Sequence, residues 1–182
     1  MLTAAGVAHI AVAPNVDEDA ARQAWAGRRL DGRALADALA ELKAVKVSSR
    51  RPDDLVLGCD QTLERDDGLL LDKPGDDVAG QLRLLSGRSH ILHSAVIAAE
   101  RGAPVWRAVG RAKLKMRVLS EDFIEDYVSR ETELVAACVG GYRIEGLGAQ
   151  LFERIGGDMF TIVGLPLLPL LGWLRERGVL TK

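Results

Sequence analysis

Apolar positions alternate with polar ones in some stretches of this chain and recur at helical spacing in others, and the two periods divide it into elements. Residues 8–13 alternate until Pro14 and Asn15 break the run, which predicts a short strand leading into a loop with Val16, Asp17 and Glu18. Leu35, Leu39 and Leu42, with Ala38 between, predict a helix over residues 30–47 with Lys43 near its end. Asp53 and Asp54 introduce the apolar run at 55–59, a pattern of fully buried strands that sets Asp60 at the end of a central strand. Asp66-Asp67-Gly68 is a turn that folds 69–71 back as a hairpin arm, and a helix follows over 76–85. Residues 89–99 and 105–118 read as two strands of an antiparallel hairpin joined across Arg101-Gly102-Ala103. Ser120 caps a helix that reaches about Arg130 and carries Phe123, Ile124 and Tyr127 on one face. A glycine-rich loop spans 139–148, and Gly164-Leu165-Pro166 precedes an apolar helix that ends near Gly178. The alternation predicts an α/β fold, a mixed twisted sheet with flanking helices, in a single domain over residues 1–182.

The chain length of 182 residues suits one core, and 48% hydrophobic with 27% charged residues is a globular composition. The 24 basic and 26 acidic residues leave a net charge of -2, so no general field attracts nucleic acid or an anionic membrane. Any polyanion site has to be local. The longest apolar stretch, 161–174, is too short to span a bilayer and contains Pro166 and Pro169. The apolar start has no basic segment before it and runs into Asp17-Glu18-Asp19, so no export signal is expected. Cys59 and Cys138 have neither CxxC nor Cys/His ligand spacing, which argues against a zinc site or a disulfide framework and fits a reducing, cytoplasmic setting.

Asp60 is the sharpest candidate for chemistry. An aspartate delivered by a buried strand can hold a metal or take a proton from water, although an Asx turn that merely stops the strand has the same appearance. Lys73, before Pro74, can bring a cation to the same sheet edge as a point-charge phosphate ligand. Glu18, Asp60, Lys73 and Glu145 all fall at strand ends or in glycine-rich turns, where functional groups concentrate. The chain has no P-loop, no GxGxxG after a strand, no GxSxG elbow and no HExxH. His9, His90 and His93 form no consistent ligand set and read as structural. Trp25, Trp106 and Trp173 are isolated in sequence, so no base-stacking platform and no nucleic-acid partner are expected.

One ordered series runs through nearly the whole chain: Val16-Asp17-Glu18, Leu39-Ala40-Glu41-Leu42-Lys43-Ala44, Gly58-Cys59-Asp60-Gln61, Lys73-Pro74, Leu85-Ser86-Gly87-Arg88-Ser89-His90, Gly141-Tyr142-Arg143-Ile144-Glu145-Gly146 and Val163-Gly164-Leu165-Pro166. It resembles the Maf family of nucleoside triphosphate pyrophosphatases. The resemblance implies a two-lobed α/β fold around a nucleotide cleft, often homodimeric, that uses magnesium, manganese or a similar divalent ion. Carried over by motif, Asp60 is the general base and a metal-side carboxylate, Glu18 a second metal-side carboxylate, and Lys43 and Lys73 phosphate ligands. Gln61 and Glu145 bear on the substrate. Members acting on dTTP and UTP have threonine after the aspartate and glutamine in the Tyr-x-x-Gln-Gly loop, so Gln61 and Glu145 resemble the branch acting on 7-methyl-GTP. A carboxylate can accept from both N1–H and the exocyclic amine of guanine, and it suits a positively charged methylated ring. The alternatives are a dTTP/UTP-type enzyme, or a non-catalytic division-related regulator or nucleic-acid-binding protein. The family's N-terminal Ser-x-Ser-x-x-Arg phosphate loop has no counterpart here, which leads to the expectation that either Met1 is internal to a longer reading frame or the lineage has lost this segment, and that the chain as written is a weak enzyme.

Overall fold

In the computed structural model, which describes residues 1–25, 27 and 30–181, five strands form one sheet. These are β1 (Val56–Arg65), β2 (Leu70–Leu71), β3 (Ser89–Glu100), β4 (Ala103–Met116) and β5 (Phe152–Gly156), in the order β2-β1-β3-β4-β5. Among the described residues six α-helices accompany them: α1 (Glu18–Trp25), α2 (Gly32–Arg50), α3 (Val78–Leu85), α4 (Glu121–Val135), α5 (Met159–Val163) and α6 (Leu167–Glu176). The α/β class expected from the sequence is present. The sheet is antiparallel throughout rather than mixed, because hairpins join β1 to β2 and β3 to β4, and β5 returns antiparallel along β4.

Local chemistry accounts for most boundaries. Asp31, Asp77 and Ser120 cap α2, α3 and α4 by accepting from the backbone amides of Ala34, Gly80 and Phe123. The β3–β4 turn places Arg101 and Gly102 at φ 50° and 78°, the paired left-handed conformation of a tight hairpin that matches strand twist.

Two compact units divide the chain, residues 1–60, 94–110 and 164–182 in the first, and residues 61–93 and 111–163 in the second. In the first, the two faces of β3 carry different partners: Ala95, Ile97 and Ala99 cluster with Ala36, Ala40 and Ala44 of α2, and Val96 clusters with Leu165, Leu167, Leu170 and Leu174. Trp106 and Trp173 stack here with ring centroids 5.0 Å apart, so these two are partners and not isolated side chains. In the second unit Leu63, Leu82, Leu92, Leu114, Met116, Ile124 and Tyr127 form the core, all essentially inaccessible to solvent. Each such aliphatic side chain contributes roughly 1.5–3 kcal/mol by leaving water.

Further sequence expectations change: Glu18, expected in a loop, opens α1. Residues 8–13 form no strand; Ile10 is 69% exposed, and without a buried face the alternation has nothing to lock it. Strand β1 runs on to Arg65, which puts Asp60 in mid-strand and removes the strand-stopping Asx turn. The short elements β5 and α5 were not foreseen, since Phe152-Glu153-Arg154-Ile155-Gly156 is a mostly exposed, charged edge strand with little hydropathy signal.

Candidate active site

In the first unit, three charged side chains from three elements meet. Lys43 on α2 places Nζ 2.5 Å from Asp60 Oδ1 on β1 and 2.8 Å from Glu18 Oε1 at the start of α1. Their side chains are 16%, 9% and 31% exposed in the order Lys43, Asp60, Glu18. Helix α2 can approach this strand because Gly58 faces it: a Cβ there would stand 2.4 Å from the Ala40 carbonyl oxygen. Gly58 and Asp60 are two residues apart and so share a strand face. Asp17 accepts from the Ala20 amide at 2.9 Å and caps α1, which sets Glu18 in its first turn, where the helix dipole favours a carboxylate.

Burial pushes the Asp60 pKa up, and the pull of Lys43 in the other direction does not cancel it. Burial alone would lower the Lys43 pKa, but its hydrogen bonds to Asp60 and Glu18 outweigh that and hold it above the ordinary lysine value. Arg22, one turn beyond Glu18 on α1, adds a further positive influence on Asp60. Sequence reasoning missed Arg22; its i,i+4 spacing from Glu18 was the available signal. Asp60 Oδ2 is buried and has no hydrogen-bond partner among the described residues, so one carboxylate oxygen is available to a cation or a water proton. Glu18 and Asp60 fit a magnesium-like ion, which commonly takes one or two protein carboxylates and completes its shell with water and substrate phosphate. Among the described residues no group of three or more His, Cys, Asp or Glu side chains forms a fuller cage.

The second unit holds the other sequence candidates. Gln61 Nε2 donates to the Thr161 and Ile162 carbonyls at 3.1 and 3.0 Å, tying β1 to the end of α5. Lys73 and Glu145 are both exposed, and both act on the Cys138 thiol: burial and then Glu145 push its pKa up, while Arg143 and Lys73 draw it down. Lys73, Arg143 and Glu145 therefore share one neighbourhood.

The loop that carries Glu145 is anchored from below. The Tyr142 hydroxyl lies 2.7 Å from His90 Nε2, the Tyr142 ring packs edge-on to Phe152, and Tyr127 donates to the Gly141 carbonyl at 3.2 Å. Arg143 reaches Glu131 at 3.4 Å. Gly140 and Gly141 supply the left-handed turns, at φ 88° and 68°, that let this chain segment double back. Burial drives the His90 pKa down from 6.5 to about 4. A histidine that stays neutral when folded loses ground to an unfolded chain that takes up the proton. Stability should therefore fall as pH drops from 6.5 towards 4, by about 3 kcal/mol at the lower end. Melting temperature against pH in wild type and His90→Phe reads this directly: the variant should show a shallower decline, and an unchanged slope would reject His90 as the source.

An α/β protein with a buried aspartate, an ammonium and a second carboxylate drawn together by a helix packed on a strand is the class that this geometry defines. The chain belongs to the Maf family: the family described as Maf-like protein matches residues 1–177. It is 49% identical over 181 residues to a nucleoside triphosphate pyrophosphatase of Sphingopyxis alaskensis, covering 98% of this chain and 91% of that one. A nucleoside triphosphate pyrophosphatase of Hyphomonas neptunium is 53% identical over 182 residues, covering 99% and 91%. A 7-methyl-GTP pyrophosphatase of Rhizobium etli is 51% identical over 144 residues, covering 78% of this chain and 72% of its own.

Proposed function

We propose that this chain hydrolyses a nucleoside triphosphate to the monophosphate and pyrophosphate, with Asp60 as general base. The observation that carries the reading is the buried Asp60 carboxylate, one oxygen held by Lys43 and the other without a partner among the described residues. The named activities of the relatives and the family match support it. A water oxygen bonds to the α-phosphorus, its proton passes to Asp60, and the α–β phosphoanhydride breaks so that the pair of electrons leaves with pyrophosphate. Burial raises the Asp60 pKa towards that of a useful base. Lys43 and Lys73 serve the phosphates as cationic ligands, and Lys43 already carries a charge secured by two carboxylates. Glu18 and Asp60 would hold a divalent ion, magnesium or manganese, which when bound supplies neutralisation of phosphate charge.

The substrate we infer is 7-methyl-GTP, with the dTTP/UTP type as the second reading. Glu145 supports the guanine choice because an exposed carboxylate can accept from two adjacent donors of that base. Gln61 contributes to the substrate side by holding α5 through its amide. Glu145→Gln should lower the preference for 7-methyl-GTP over UTP by roughly 1–3 kcal/mol, the cost of an unmatched polar group. Relative kcat/KM for the two nucleotides is the measurement, and a ratio that does not move would remove Glu145 from base reading.

The unbroken family match over 1–177 supports a single Maf-like domain. We further propose a homodimer in the cytoplasm, which light scattering after gel filtration and cell fractionation would check. No helix among the described residues is long and apolar enough to cross a membrane. Pyrophosphate release from 7-methyl-GTP, GTP, UTP and dTTP, with and without magnesium or manganese, tests the activity itself. No release from any of them would defeat it.

A further inference from the structure

We propose that Lys43 competes with the divalent cation for Glu18 and Asp60, so that metal and triphosphate bind this chain with positive coupling. The inference rests on the reading above of Glu18 and Asp60 as the metal-side carboxylates. Its own basis is the geometry of one ammonium shared by two carboxylates, 2.5 Å from Asp60 and 2.8 Å from Glu18.

A divalent ion taken up by this pair meets a positive charge already bonded to both members. With Asp60 only 9% and Lys43 only 16% exposed, the repulsion is screened less than it would be in open water. Asp60 Oδ2 is open to the ion, but an ion held there stands across one carboxylate from the ammonium on Oδ1, and this repulsion at close range is what makes the ammonium give way. Lysine can do this, since a compact charge on a flexible four-carbon stem swings without moving α2. Leaving two carboxylates costs Lys43 its hydrogen bonds unless another anion replaces them, and a nucleotide triphosphate is such an anion. Metal then enters easily only when phosphate is present to receive Lys43. By linkage the triphosphate gains in affinity from the metal by the same factor.

The opposite role is equally definite. If Lys43 instead holds the two carboxylates in place for the metal, its removal weakens metal binding. Calorimetric titration of manganese chloride alone into wild type, Lys43→Met, Lys43→Gln and Asp60→Asn separates the two. We expect both neutral variants at Lys43 to bind the ion about tenfold more tightly than wild type, and Asp60→Asn to bind it far more weakly. In 15N-labelled wild type, the Lys43 ammonium signal, protected by its two carboxylates, should shift and exchange faster with water as magnesium is added. This second measurement needs no substitution and stands if a variant fails to fold. Equal or weaker metal binding in both Lys43 variants, or an ammonium signal untouched by magnesium that nonetheless binds, overturns the competition while the metal role of Asp60 survives. Metal binding that is absent, or indifferent to Asp60→Asn, overturns both.

Discussion

Asp60→Asn is expected to retain the fold and to lose most turnover, about 10²–10⁴-fold, the usual loss when a general base is removed. Retention of the fold follows from what surrounds the side chain. The amide is isosteric and its oxygen can still accept from Lys43, which also keeps its bond to Glu18 at 2.8 Å. The substitution leaves the largely buried Lys43 ammonium with Glu18 as its one charged partner, so the melting temperature should fall measurably while the fold survives. Turnover should fall because an amide cannot take the proton of the attacking water. The same burial predicts a second signature in wild type. Asp60 has to be ionised to act, and burial raises its pKa above 3.8 in the metal-free protein, so at limiting metal the acid limb of kcat/KM should lie above the ordinary aspartate range. Activity is then lost as pH falls through that raised value and recovered as it rises. Circular dichroism, a melting curve and steady-state kinetics across pH decide the matter. A folded Asp60→Asn protein with near wild-type turnover would take the base assignment away from this residue.

What the sequence made legible follows the range of the interactions concerned. The turn at Arg101 and Gly102 and the Ser120 cap are settled within a few residues, and both could be located from composition alone. The extension of β1 beyond Asp60 could not, because Asp60 and Gln61 interrupt the apolar run, while Thr62 and Leu63 beyond them are buried in the structure. Residues 8–13 failed in the opposite sense: their local pattern suits a strand, but their side chains find no buried face. The identities of Glu18, Lys43 and Asp60 came from motif order. Their ion-pair geometry depends on contacts between α2 and β1 that no local period encodes. Gln61 shows the limit most plainly, since a residue that reads as a substrate contact spends its amide on carbonyls 100 and 101 positions away.

Those contacts between α2 and β1 can be broken at a single position, and Gly58→Val should cost about 3 kcal/mol or more and reduce turnover together with stability. A Cβ at residue 58 would lie 2.4 Å from the Ala40 carbonyl oxygen, 2.5 Å from the Ala44 amide nitrogen and 2.8 Å from the Ala44 Cβ. Two of these are backbone atoms of α2, so no side-chain rotation relieves the clash; the helix has to move or the strand has to bend. Lys43 is the residue before Ala44, so displacement at this contact is felt where Lys43 meets Asp60. Gly58→Ala should show the same two losses to a smaller degree. Adding Ala44→Gly to it should restore little, because that change removes only the Cβ contact and leaves both backbone clashes. Gly172 supplies the contrast: it lies within α6, where an added methyl would meet open space, so Gly172→Ala should gain roughly 0.5–1 kcal/mol from helix propensity and leave turnover unchanged. Melting temperature and kcat/KM for these four proteins give the test. Wild-type values in Gly58→Val would mean that close packing of α2 on β1 does not set the Lys43–Asp60 pair.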